Sequence, residues 1–256
     1  MPYQTSGGIR TYYQLIGKGP LLVLLHGWAN RWEAWSPLVP ELSTYYSLLI
    51  PDLPGFGKSV EPQTEGWTTQ DYANWLSDFL PTFTKKSPYI VIGHSFGGKI
   101  GAAFCVSHRN HSQKPKQLVL IGPSGIPNTM TKKNAVLSNL TKAVPKVIKN
   151  ALPKSLVKKF YEKVIGETDY AYATSFQQKT LRKILPEDMT SELKNITIPT
   201  LIIWGERDTS AQVAHAEVFH QTIPKSTLYI VKQTGHFPHI ERTPEVLAYM
   251  KSWMKI

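Results

Sequence analysis

Short, wholly apolar runs that end in glycine or proline turns recur along this chain, and they limit its fold more than any other feature. Leu21-Leu22-Val23-Leu24-Leu25 runs into His26-Gly27-Trp28, and Leu48-Leu49-Ile50 into Pro51-Asp52-Leu53-Pro54-Gly55. Tyr89-Ile90-Val91-Ile92 reaches Gly93, and Gln117-Leu118-Val119-Leu120-Ile121 reaches Gly122-Pro123. Thr200-Leu201-Ile202-Ile203-Trp204 ends at Gly205, and Leu228-Tyr229-Ile230-Val231 precedes Gly235. A strand with no polar side must be buried on both faces, which is the condition of a parallel sheet covered by helices.

The stretches between the runs carry helical signals, so the alternation is that of an α/β fold. Thr68 and Asp71 have the spacing of a capping box, and Tyr72, Trp75, Leu76, Phe79, Leu80 and Phe83 recur behind them at helical spacing. Ser36 with Pro37 in the first turn predicts another helix start. Thr243-Pro244-Glu245 opens a last helix, with Val246, Met250, Trp253 and Met254 on one face. Residues 9–15 read as an early antiparallel strand. These stripes are core faces.

The run ending at Ile92 continues as Gly93-His94-Ser95-Phe96-Gly97, followed by the small-residue stretch 97–103. This reads as strand, sharp turn and helix, with a serine at the apex. Glycines flank the serine because so tight a turn leaves no room for side chains. The turn lifts a hydroxyl above the sheet edge and puts the Phe96 N–H at a helix N-terminus, where negative charge is stabilised. The five-residue pattern alone is common by chance; its context is what gives it weight.

Five ordered motifs, His26-Gly27, Asp52 to Ser59, Gly93 to Gly98, Gly205 to Asp208 and Gly235-His236, make the chain resemble the α/β-hydrolase family over nearly its whole length. The resemblance implies a mostly parallel central sheet of about eight strands flanked by helices, with a helical lid inserted after strand 6. It divides the chain into a core of residues 1–124 and 196–256 and a lid of residues 125–195. The family order of nucleophile, acid and histidine implies Ser95, Asp208 and His236 as catalytic residues, 113 and 28 residues apart. It implies an oxyanion hole from the backbone N–H groups of Trp28 and Phe96, and substrate contacts from His26, Trp28 and Phe96. A serine hydroxyl is a poor nucleophile at neutral pH, so a histidine must take its proton and an acid must hold that histidine.

Other polar residues have quieter readings. Glu206 is the rival acid, but the family pattern favours Asp208. The turn after strand 6, Gly122-Pro123-Ser124-Gly125, has no carboxylate to compete. Asp52 organises its turn, His94 packs in the elbow, and His26 shapes the oxyanion loop. His236 and His239 lie three apart with no cysteine or acid cluster beside them, so no metal is expected. Cys105, the sole cysteine, reads as a small buried side chain. Relatives that open epoxides or remove halide carry aspartate at the nucleophile position, where this chain has serine. Those that cleave carbon–carbon bonds often carry asparagine where it has His94.

Composition adds a basic balance. The 256 residues carry a formal charge of +11, with 41% hydrophobic and 11% aromatic content suited to a packed core. Residues 125–195 hold twelve lysines and one arginine against six acids, interleaved with apolar residues from Val136 to Phe160 and punctuated by Pro145, Pro153 and Pro186. This reads first as a solvated outer face over an apolar inner face, and second as a source of weak attraction to anionic membrane surfaces. No nucleic-acid recognition motif appears. With no secretory or membrane-spanning pattern, a cytoplasmic protein is expected. The expected activity is hydrolysis of uncharged carboxylic esters of short to medium chain through an acyl-enzyme, without a cofactor. A C–C bond hydrolase, thioesterase or lipase on the same triad, and a non-catalytic small-molecule receptor, are the alternatives. Neither oligomeric state nor natural substrate is encoded in these motifs.

Overall fold

A computed structural model describes residues 2–85, 87–108, 114–127 and 173–256. Eight strands form one sheet: β1 (Tyr3–Ser6), β2 (Ile9–Ile16), β3 (Leu21–Leu25), β4 (Ser47–Pro51), β5 (Tyr89–His94), β6 (Gln117–Ile121), β7 (Thr200–Gly205) and β8 (Ser226–Val231). Their spatial order is β1-β2-β4-β3-β5-β6-β7-β8. β1 and β2 form an antiparallel hairpin and β2 runs antiparallel to β4; every other pairing is parallel. The mostly parallel sheet expected from the apolar runs is therefore present, with one hairpin strand that its short, half-polar sequence did not announce.

The runs are apolar throughout because alternate residues serve two cores. Val23, Leu25, Val91, Leu118, Leu120, Ile202 and Trp204 face one side, with α2 (Thr69–Phe79) and α4 (Phe96–Ser107). Leu22, Leu24, Ile90, Ile92, Val119, Ile121 and Ile203 face the other, with α8 (Thr243–Met254). Complete burial of one such side chain contributes about 1.5–3 kcal/mol.

Thr68 caps α2 as its spacing predicts: its side chain accepts from the Asp71 N–H, and the Asp71 carboxylate accepts from the Thr68 N–H at 2.8 Å. Tyr72, Trp75, Leu76 and Phe79 are buried behind the cap. The predicted stripe breaks near its end, however. Leu80 is the C-cap, and Phe83 belongs to the separate turn α3 (Pro81–Thr84). Ser36 starts no helix. It closes a 3-10 turn, Trp32–Trp35, and α1 (Val39–Leu42) begins later with Pro40 in its first turn. The long-range bond from the Trp32 N–H to Asp52 Oδ1 at 2.7 Å fixes the turn there, which overrides local capping preference.

Residues 128–172, the larger part of the predicted lid with Pro145 and Pro153, lie outside the described residues. The return from that segment is α5 (Ser175–Ile184) and a 3-10 turn, Leu193–Asn195. Phe176, Leu181, Ile184, Met189 and Leu193 are buried. The remaining helices are α6 (Ala214–Thr222) and the single turn α7 (Pro238–Glu241). Among the described residues no helix is long and apolar enough to cross a membrane.

Candidate active site

Ser95 stands between β5 and α4 with φ +51°, in the left-handed region that a non-glycine residue occupies at a cost of about 1–3 kcal/mol. The turn closes so tightly that a Cβ on Gly97 would lie 2.1 Å from the Leu25 carbonyl oxygen. One on Gly93 would lie 2.4 Å from the Gly97 carbonyl oxygen. Only glycine fits either position, so the two flanking glycines are the condition for the serine's exposure above the sheet.

Three loops at the same sheet edge converge on that serine. His236, after β8, brings Nε2 to 2.9 Å from Ser95 Oγ. Its Nδ1 lies 2.7 Å from Asp208 Oδ2, after β7. The Asp208 side chain is fully buried, and its Oδ1 accepts from the N–H groups of Ser210 and Ala211 at 2.9 and 2.8 Å. One carboxylate oxygen is thus held by backbone and the other is aimed at the imidazole. Gly122, after β6, leaves room beside the pair, since a Cβ there would come within 3.3 Å of Asp208 Oδ2. Glu206 faces elsewhere: its Oε2 accepts from the Gln233 N–H at 3.0 Å. The sequence therefore brings Ser95, His236 and Asp208 together across 141 and 28 residues of chain.

The loop after β3 lies against the same serine. A Cβ on Gly27 would be 3.4 Å from Ser95 Cβ. His26 is fully buried, with Nδ1 2.8 Å from the Gly27 carbonyl oxygen and Nε2 accepting from the Leu53 N–H at 2.9 Å. Both ring nitrogens are engaged inside the protein, which makes His26 a shaper of the loop and leaves no nitrogen for a substrate. Burial pulls its pKa down to about 4, so it stays neutral. Phe96, the first residue of α4, has its N–H among those a helix leaves without an internal acceptor. The half-buried Trp28 ring packs edge-on against Phe96 and Phe56, with centroids 5.6 and 5.0 Å apart. Tyr72 packs against the far side of Phe96 at 5.1 Å.

Asp52 holds the neighbouring turn, accepting from the Trp32 and Lys58 N–H groups at 2.7 and 2.8 Å. Two features escaped the sequence reading. Glu241 accepts from the N–H groups of Gly235 and Phe237, on either side of His236, at 2.8 and 3.1 Å. Its signal, an acid five residues after the histidine, has no meaning until the loop is folded. Lys99, on α4 and 3% exposed, donates to the Ile184 carbonyl at 2.6 Å and pairs with Glu187 at 2.9 Å. Glu187 also accepts from the Thr69 N–H at 3.1 Å. Among the described residues, no group of three or more His, Cys, Asp or Glu side chains could hold a metal ion.

This arrangement can move a proton from a serine hydroxyl to an imidazole that a carboxylate holds in place. Comparison with known proteins places the chain among hydrolases of the alpha/beta fold. A model of the alpha/beta hydrolase family matches residues 22–248. The pimeloyl-[acyl-carrier protein] methyl ester esterase of Legionella pneumophila (strain Paris) is 25% identical over 246 residues, spanning 93% of this chain and 97% of the relative. The 2-hydroxy-6-oxo-6-(2'-aminophenyl)hexa-2,4-dienoic acid hydrolase of Metapseudomonas resinovorans is 26% identical over 263 residues, spanning 96% and 87%. Among solved structures, a serine hydrolase involved in carbazole degradation superposes with a TM-score of 0.75 at 25% identity, covering 99% of this chain and 97% of that one.

Proposed function

The chain belongs to the alpha/beta hydrolase family, and from that premise we propose that it hydrolyses carboxylic esters with Ser95 as nucleophile. The observation that carries this reading is the continuous hydrogen-bonded line from Ser95 Oγ through His236 to Asp208, at 2.9 and 2.7 Å. Ser95 Oγ attacks the ester carbonyl while its proton passes to His236 Nε2. Asp208 keeps the proton of His236 on Nδ1 and stabilises the imidazolium. The oxygen of the tetrahedral intermediate takes hydrogen bonds from the N–H groups of Trp28 and Phe96, each worth about 3–4 kcal/mol of transition-state stabilisation. His236 returns its proton to the leaving alkoxide, the alcohol departs, and an acyl-serine remains. Water, deprotonated by the same imidazole, releases the acid and restores the serine.

We take Trp28 and Phe96, whose rings pack edge-on at 5.6 Å, as apolar walls that favour uncharged acyl groups of short to medium length. We take residues 125–195 as the lid of this site; in support, its described return carries Phe176 and Leu181 into the core beside Tyr72 and Trp67. A C–C bond hydrolase is the second reading, favoured by the likeness to the dienoic acid hydrolase. Hydrolysis of p-nitrophenyl esters from acetate to palmitate, by wild type and Ser95→Ala, tests the proposal. Turnover by the wild type that Ser95→Ala abolishes supports it, and the chain-length optimum sizes the pocket. Turnover of a vinylogous 1,5-diketone alone would move the assignment to C–C cleavage. At most one turnover per site would indicate a receptor.

A further inference from the structure

His94 precedes the proposed nucleophile at the end of β5 and is 2% exposed. Its Nε2 lies 2.8 Å from the backbone carbonyl oxygen of His236. A carbonyl only accepts, so the His94 proton sits on Nε2 and Nδ1 is bare. Nδ1 is buried, without a partner among the described residues, and turned towards the oxyanion loop: a Cβ on Gly27 would stand 2.9 Å from it. The ring is packed against those of His236, Phe237 and His239, at 4.8, 4.9 and 4.6 Å between centroids. His94 thus touches the loop before the oxyanion donors and the loop that carries His236, while its own backbone leads into Ser95.

We propose that His94 is a positioning residue for the hydrolytic reaction: its Nε2–H holds the His236 carbonyl, so that the His236 imidazole stays in line between Ser95 and Asp208. The proposal rests on the serine-hydrolase reading above. Glu241 holds the amides on either side of His236, and His94 supplies the third anchor on the same short loop. A neutral ring keeps a second positive charge away from His236, which becomes cationic in the proposed reaction. The titratable groups around His94 are His239, His236 and His26, with Asp208 beyond His236. Burial first, and then the neighbouring imidazoles of His239 and His236, hold the His94 pKa well below its ordinary value.

Two substitutions separate positioning from packing. His94→Leu keeps apolar bulk and removes the donor; His94→Gln keeps an N–H at similar reach. With p-nitrophenyl acetate, His94→Leu should lower kcat by about ten- to a hundred-fold, with KM changed by no more than about two- to three-fold. His94→Gln should recover most of the loss. Equal kcat for His94→Leu and wild type overturns the proposal, as does a folded His94→Gln as slow as the leucine variant. Nitrogen-15 spectra of the wild-type histidines give a readout that needs neither turnover nor a folded variant. They should show His94 neutral, with its proton on Nε2, from pH 8 to pH 5. A neutral ring with its proton on Nδ1 overturns the proposal, because Nε2 then has nothing to donate to the His236 carbonyl. Failure of the serine reading is seen separately, as turnover that survives Ser95→Ala.

Discussion

The buried imidazoles of His26, His94 and His239 lie close to the line from Ser95 through His236 to Asp208, and burial sets their state. His26, His94 and His239 are buried and neutral, with pKa values pulled to about 4 for His26 and about 3 for His239, and well below the ordinary value for His94, chiefly by loss of water. In the unfolded chain each titrates near 6.5. As pH falls below 6.5 the unfolded state therefore takes up three protons that the native state refuses, so stability falls. Each histidine contributes a slope of about 1.4 kcal/mol per pH unit until its folded pKa is reached. The urea midpoint should decline steeply from pH 6.5 to pH 4, and His239→Phe should shallow that decline by about one proton's worth. A midpoint flat over this range would contradict the burial of these rings. In the proposed mechanism Asp208 has a different duty, holding His236 through the contact of its Oδ2 with Nδ1. Asp208→Asn should lower kcat by about 10⁴ while the protein stays folded, because the amide can settle the imidazole in the wrong tautomer. Stopped assays of the folded variant read this directly; a loss under tenfold would mean that the acid lies elsewhere.

Between elements, the close fits are where substitutions bite. Gly205 ends β7, and a Cβ there would lie 1.9 Å from the Gly235 carbonyl oxygen, one residue before His236. Gly205→Ala should cost at least about 1–3 kcal/mol and lower kcat as well, since relief requires the histidine loop to retreat from Asp208. Calorimetry and assay on the same sample test both; an unchanged kcat would show that the loop yields elsewhere. The Lys99–Glu187 pair joins α4, the start of α2 and the return from the predicted lid. Glu187→Ala strands a buried ammonium and should cost about 3–5 kcal/mol, while Lys99→Met combined with Glu187→Ala should recover much of that. Additive losses in the double-mutant cycle would refute the coupling. The elements themselves were largely readable in the sequence. Apolar runs located six of the eight strands, and the Thr68–Asp71 spacing located α2, because both signals are local. Ser36 misled because the Trp32 N–H answers to Asp52, twenty residues away. The anchor of His236 from His94 across 142 residues, and the Thr69–Glu187 contact across 118, were silent for the same reason. Their partners are neighbours only in the folded chain.

At the scale of the molecule, the order of motifs carried the family and the convergence of Ser95, His236 and Asp208, because strand order fixes which loops meet at one sheet edge. What the acyl group is depends on walls contributed by separate segments, and no local pattern encodes it. The charge of +11 bears on surroundings more than on fold. If it draws the protein to anionic membranes, as we propose from its concentration in residues 125–195, sedimentation with phosphatidylglycerol vesicles should be strong at low salt and lost near physiological salt. No sedimentation at low salt would refute that attraction. The central claim is narrower, that Ser95 forms a covalent acyl intermediate, and it is most directly tested by mass spectrometry of the protein treated with a fluorophosphonate. The account predicts one adduct per chain, mapped to Ser95 and absent from Ser95→Ala. An adduct on another residue, or none on a folded protein that turns over esters, would contradict it.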